Sequence, residues 1–175
     1  MYDQEFSESR IPLAYMITFR CYGTWLHGDE RGSVDALYNV YGTPFAPRDE
    51  QREEEERRRL KQAPIELDAA RRDIVERTIR EVCTHRGWGL YAINVRTNHV
   101  HAVVSANCKP EKVLNDFKSW TTRRMREAGV WKSKLTPWAE HGSRRYLWKP
   151  RQVEIACDYV INHQGDDLLP DFNQD

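Results

Sequence analysis

Long hydrophobic runs are missing from this 175-residue chain, and so are closely paired cysteines, an excess of either charge and any internal repeat. No stretch approaches the roughly 18 apolar residues of a membrane span. The opening MYDQEFSESR is polar and acidic and lacks the apolar core of a signal peptide, so a cytoplasmic protein with no membrane partner is expected. The four cysteines, Cys21, Cys83, Cys108 and Cys157, form no CxxC pair, which excludes a zinc ribbon or a dithiol redox motif. They read as reduced, mostly buried thiols. With 27 basic and 27 acidic side chains, overall charge names no partner, and the distribution of charge has to be asked instead.

The length suits one domain, 1–175, able to bury a core without disulfides. Residues 14–22 alternate, with Tyr15, Ile17, Phe19 and Cys21 on one side and Met16, Thr18, Arg20 and Tyr22 on the other, which is the period of a strand. An insertion follows at about 24–66, rich first in Gly, Pro, Asp and Asn and then ending in the charge run DEQREEEERRR, read as a solvated helix or a loop. Val75, Thr78, Ile79, Val82 and Cys83 have helical spacing, and Gly87 is a natural stop. GLYAINV and HVHAVVSA, separated by Arg96-Thr97-Asn98, read as an antiparallel hairpin.

Pro110 opens a helix to about Glu127 with Val113, Leu114, Phe117, Trp120 and Thr121 inward. Short strand-like pieces are expected around Trp131 and Tyr146–Trp148, with a turn at His141-Gly142-Ser143. Pro150 starts a last helix, expected to end near Gly165, whose stripe is Val153, Ala156, Cys157, Val160 and Ile161. The order β, α, β, β, α, β, α predicts an α+β fold, a ferredoxin-like antiparallel sheet with helices packed on one face.

Within NVRTNHVHAVVSA, His99 and His101 are two residues apart in a strand, so they share a face while Val100, Ala102 and Val104 point to the core. Two imidazoles at that spacing can reach one cation, although an HxH on a strand is by itself more often a solvent-facing pair. The last helix adds Tyr159 and His163, one turn apart at the edge of its stripe. The plainer alternative is a snorkelling tyrosine and a histidine that caps carbonyls. Taken together, a phenol beside a cation site suits phosphoryl transfer, because a phenol of pKa about 10 needs help to ionise.

Between 117 and 151 there are ten Lys and Arg against two Glu, among them Lys118, Arg123, Arg126, Lys132, Lys134, Arg144 and Arg145. Trp120, Trp131, Trp138 and Trp148 lie in the same stretch. Interleaved cations and aromatics suit a strand with unpaired bases. Trp120 is assigned to the core, and the other three are divided between core and stacking.

These pieces resemble the single-tyrosine HUH transposases of small insertion sequences and their REP-associated relatives. NHVHAVV matches the histidine strand, DYVINHQ the tyrosine helix and YMITFRCYGTWL the first strand, over roughly residues 13–165. The resemblance implies an HUH nuclease fold that binds single-stranded DNA, often as a hairpin, and cuts it through a 5′-phosphotyrosine link before rejoining strands. It makes Tyr159 the nucleophile and His99, His101 and His163 ligands of Mg²⁺ or Mn²⁺, with His163 standing where the family usually has Gln or Asn. Asn162 and Gln164 are the weaker substitutes for that ligand. Family members often form homodimers. The competing reading is an inactive, domesticated hairpin-binding protein. A small-substrate metallohydrolase would need a further carboxylate or histidine near HxH at metal-site spacing, and there is none.

Overall fold

The computed structural model describes residues 11–27 and 48–163. The middle of the expected insertion, 28–47, and the expected helix end at Gly165 lie outside the described residues. Among the described residues eight elements follow one another: β1 (Ala14–Cys21), α1 (Glu50–Arg58), α2 (Ala69–Arg86), β2 (Gly89–Val95), β3 (His99–Ser105), α3 (Pro110–Glu127), β4 (Trp138–Leu147) and α4 (Pro150–Asn162).

The sheet order is β2-β3-β1-β4 with every neighbouring pair antiparallel, the ferredoxin-like arrangement that the element order predicts. The expectation that helices pack on one face needs correction. Tyr15, Ile17, Phe19, Val100, Ala102 and Val104 pack with residues of α2 and α3 in one cluster. Ala14, Met16, Ala92, Val103 and Leu147 form a second cluster with Ala156, Tyr159 and Val160 of α4. The two central strands carry apolar residues on both faces, and each face is covered.

The charge run does form a helix, α1, capped by Asp49 and laced by Arg57–Glu53 and Arg58–Glu54 pairs at 2.6 and 2.5 Å. None of its residues is buried, as its composition requires. All four cysteines are free; Cys21 and Cys83 are buried, and desolvation pushes both thiols up to about 12.

No turn exists at His141–Ser143, because β4 runs unbroken from Trp138 to Leu147. Gly142 is there for closeness instead: a Cβ would lie 2.7 Å from the Thr18 carbonyl oxygen and 3.0 Å from Leu114. Nor does a strand form around Trp131, whose indole fills the core from a loop.

Beside Gly142 the register jumps from Phe19↔Gly142 to Cys21↔Trp138, so β4 bulges over residues 139–141. Their three carbonyls are met by one ammonium, with Lys118 Nζ donating to Ala139, Glu140 and His141 oxygens at 2.7, 3.1 and 2.9 Å. Burial pushes the Lys118 amine down to about 8. Lys118→Met keeps the aliphatic stem and strands the three acceptors. It is expected to lower stability by about 2 kcal/mol in urea unfolding, as for hydrogen bonds to a charged group.

Candidate active site

Strand alternation sets the floor of the site. In the β1–β3 register Thr18 faces His101 and Arg20 faces His99. All four side chains therefore lie on the α4 side, with Met16 and Val103 below them.

Each imidazole has a partner on its Nδ1. Thr18 Oγ1 is 2.7 Å from His101 Nδ1, both groups being buried. His99 Nδ1 is 2.6 Å from Asn98 Oδ1. An amide oxygen only accepts, so the His99 Nδ1 carries a proton and donates it to Asn98. The rings sit edge to face with centroids 4.7 Å apart.

Burial, the neighbouring His99 and the charges of Arg20 and Arg96 push the His101 imidazole down to about 3. It is neutral at any physiological pH, which is the form that ligates metal. The same shift has a cost in acid. An unfolded histidine protonates near pH 6.5, whereas folded His101 does so only near 3. Between those values protons bind preferentially to the unfolded chain, so stability falls as pH drops. In metal-free urea titrations from pH 7 to 4, the loss due to His101 is the difference from His101→Gln. It is expected to be on the order of 1 kcal/mol per pH unit.

α4 closes the site. Its inward face is Ala156, Tyr159 and Val160, with Val153, Ile155 and Cys157 at the border. The expected stripe is rotated by this: Tyr159 is 9% exposed and inside the contact, whereas Ile161 is 59% exposed. The rotation presents the Tyr159 ring edge to His101, centroids 5.7 Å apart.

His163 is not brought to the other two histidines. The helix stops at Asn162, and His163 is its C-cap with non-helical backbone. Its Nε2 lies 2.9 Å from Asp158 Oδ2 on the exposed side. Hydrogen bonds from Asn162 and His163 hold the Asp158 carboxyl below its usual range. Among the described residues no three His, Cys, Asp or Glu side chains gather as a metal cluster. The convergence expected of His99, His101 and His163 is thus limited to His99 and His101. Asn162 donates its amide to Asp158 as well, and Gln164 lies outside the described residues.

The predicted DNA-binding cations separate in the fold. Arg145 pairs with Met16 on the histidine side of β4, and Arg144, next to it, points to the other side and bridges Glu111 at 2.8 Å. Lys118 is committed to the β4 bulge. Arg126 Nη2 faces the carbonyls of Ser133, Lys134 and Leu135 at 3.1, 2.9 and 3.3 Å and shapes the loop after α3. Arg123, Lys132 and Lys134 are exposed. Trp131 and Trp138 are buried and Trp120 half-buried, with the Trp120 ring against His85. Trp148 is half-buried as well and lies just before α4, stacked on Tyr146.

Sequence reasoning missed Thr18 and Asn98 as partners of the histidines. Asn98 could have been found, since it precedes His99 directly. Thr18 could not, because its place opposite His101 is a fact of strand register.

No curated protein is found to match the chain. Among solved structures it is similar to a REP-associated tyrosine transposase bound to a REP hairpin, at 10% identity. That match covers 91% of this chain and 70% of the other, with a TM-score of 0.49. It is also similar to a candidate transposase from Deinococcus radiodurans R1, at 15% identity, over 95% of this chain and 100% of that one, with a TM-score of 0.45. The model of the IS200-like transposases matches residues 58–160. That span is more than half of the sequence and holds both site histidines and Tyr159, and the chain therefore belongs to the IS200-like transposase family.

Proposed function

We propose that the chain cleaves and rejoins single-stranded, hairpin-forming DNA through a covalent 5′-phosphotyrosine intermediate, with a divalent cation at His99 and His101. The observation that carries this reading is the join of the tyrosine and histidine elements: the Tyr159 ring packs against the His101 ring, and His101 in turn against His99, whose Nδ1 is anchored by Asn98.

The donor set fits a cation. Both rings are oriented from behind, by Thr18 and Asn98, in the way ligating histidines are commonly held by outer groups. Burial keeps His101 neutral. Two nitrogens leave room for phosphate oxygens and water, as Mg²⁺ or Mn²⁺ requires. When bound, the ion would polarise the scissile phosphate and offset charge in the transition state.

The protein's own part is positional. Tyr159 Oη attacks phosphorus and loses its proton, the P–O3′ bond breaks, and the departing 3′ oxygen takes up a proton. Reversal by a 3′-hydroxyl rejoins the strand and frees the phenol. Arg145, on the same face, supplies charge for the DNA backbone. Tyr159 and His101 of one chain are already adjacent, which supports a tyrosine that serves the histidines of its own chain.

The test is incubation with an end-labelled hairpin flanked by single strands, with Mg²⁺ or Mn²⁺, followed by a denaturing gel. A protein–DNA adduct is expected. Tight hairpin binding with no adduct in either metal would reject catalysis in favour of the inactive binding protein.

A further inference from the structure

We propose that Asn94 is a positioning residue that latches the last turn of α4 and fixes Tyr159 beside His101. The proposal rests on Tyr159 being the nucleophile.

The register of the β2–β3 pair passes from Leu90↔Val104 to Ala92↔Val103, so Tyr91 is an extra residue and bulges outward, 54% exposed. The bulge reverses the alternation of β2. Leu90 packs with the α2–α3 cluster, whereas Ala92 belongs to the α4 cluster. Asn94, two residues on and opposite His101, is thereby turned to α4 as well.

There its Nδ2 donates to the Val160 carbonyl at 3.0 Å. The ordinary helical donor to that carbonyl would be residue 164, past the end of α4 at Asn162. The acceptor is one of the orphans of a helix C-terminus. One bond therefore satisfies a helix end and ties the residue next to Tyr159 to the strand position opposite His101.

The other end of α4 is fixed by Gln152, whose Oε1 accepts from the Trp148 and Lys149 backbone N–H groups at 2.7 and 3.0 Å. Between the two ends the contact is apolar: Ala156 and Val160 against Met16, Val103 and Leu147. Apolar packing resists separation but is non-directional, so it sets the rotation of the helix weakly. A directed bond at the tyrosine end sets it firmly.

Asn94→Leu keeps the bulk and removes the donor, while Asn94→Gln restores an amide. Single-turnover adduct formation is measured at saturating hairpin DNA and Mn²⁺. The leucine variant is expected to be slower on the order of tenfold or more, as for a small misplacement of a reacting group. Asn94→Gln should recover part of the rate. DNA affinity, measured in the Tyr159→Phe background, and Mn²⁺ binding should be unchanged. Amide hydrogen exchange over residues 158–162 should be faster in Asn94→Leu. A wild-type rate in Asn94→Leu overturns the latch, and so does a rate loss that weakened DNA or metal binding accounts for. If the wild-type protein forms no adduct at all, the nucleophile reading has failed. Exchange then decides the latch alone, and unchanged protection of residues 158–162 overturns it.

Discussion

Tyr159→Phe is expected to bring adduct formation and strand cleavage below detection while leaving the fold, hairpin binding and Mn²⁺ binding in place. The substitution removes one oxygen. The ring that packs among Met16, Val103 and Leu147 and meets His101 edge-on is kept. Losing a hydroxyl contact costs on the order of 1 kcal/mol of stability, far too little to explain a complete loss of cleavage. The chemistry has no substitute, since phenylalanine offers no nucleophile. A denaturing gel reads the adduct, and filter binding with the same labelled hairpin reads affinity. The complementary variant, His99→Ala with His101→Ala, should lose Mn²⁺ binding by calorimetry and with it the adduct. An adduct that persists in Tyr159→Phe would move the nucleophile elsewhere.

Trp138→Ala is expected to destabilise the protein by about 3–5 kcal/mol, the range for removing a large buried aromatic. The indole is 1% exposed and stands edge-on to Phe19 with centroids 4.8 Å apart. Its Nε1 donates to the Lys118 carbonyl at 3.2 Å, an oxygen that the Thr121 and Thr122 hydroxyls also reach, so the loss on truncation is chiefly one of packing. Urea unfolding followed by circular dichroism measures the loss. The experiment separates a core tryptophan from a base-stacking one. A stacking residue would lower single-strand affinity with little change in stability, whereas Trp138 should behave in the opposite way. Hairpin binding by the fraction that remains folded should be near wild type.

That tryptophan marks where sequence reading stops. The interleaving of cations and aromatics in 117–151 looked like a nucleic-acid surface, yet Trp131 and Trp138 fill the core and Lys118 serves three backbone carbonyls. Composition along a chain does not say which layer a residue enters. Periodicity is more informative. The alternation of β1, the hairpin and the stripe of α2 are found as expected, because local spacing alone decides them.

The rotation of α4 was less legible. Cys157 and Ile161 are as apolar as Val153, and only contact with Met16, Val103 and Leu147 makes Tyr159 inward and Ile161 outward. Gly142 was misread for a related reason. Glycine signals either a turn or a close approach, and the close approach to Thr18 is made by a strand far away in sequence. Of the site, the paired histidines and the tyrosine were visible as residue types at fixed spacing. The partners that orient them, Thr18 above all, depend on pairing across 83 positions.

The two faces of the sheet sort residues by parity. In β1 and β3 the odd-and-even count separates an aliphatic layer, under α2 and α3, from the layer that holds Thr18, His99 and His101. One residue inserted into either central strand, with no bulge to absorb it, would exchange the two populations. Imidazoles would enter the packed layer and valines would face the tyrosine helix. Such a change would damage fold and chemistry together. Descendants of this sequence can therefore alter the site by replacing residues, or by length changes in pairs, but not by a single step in the reading of the strand.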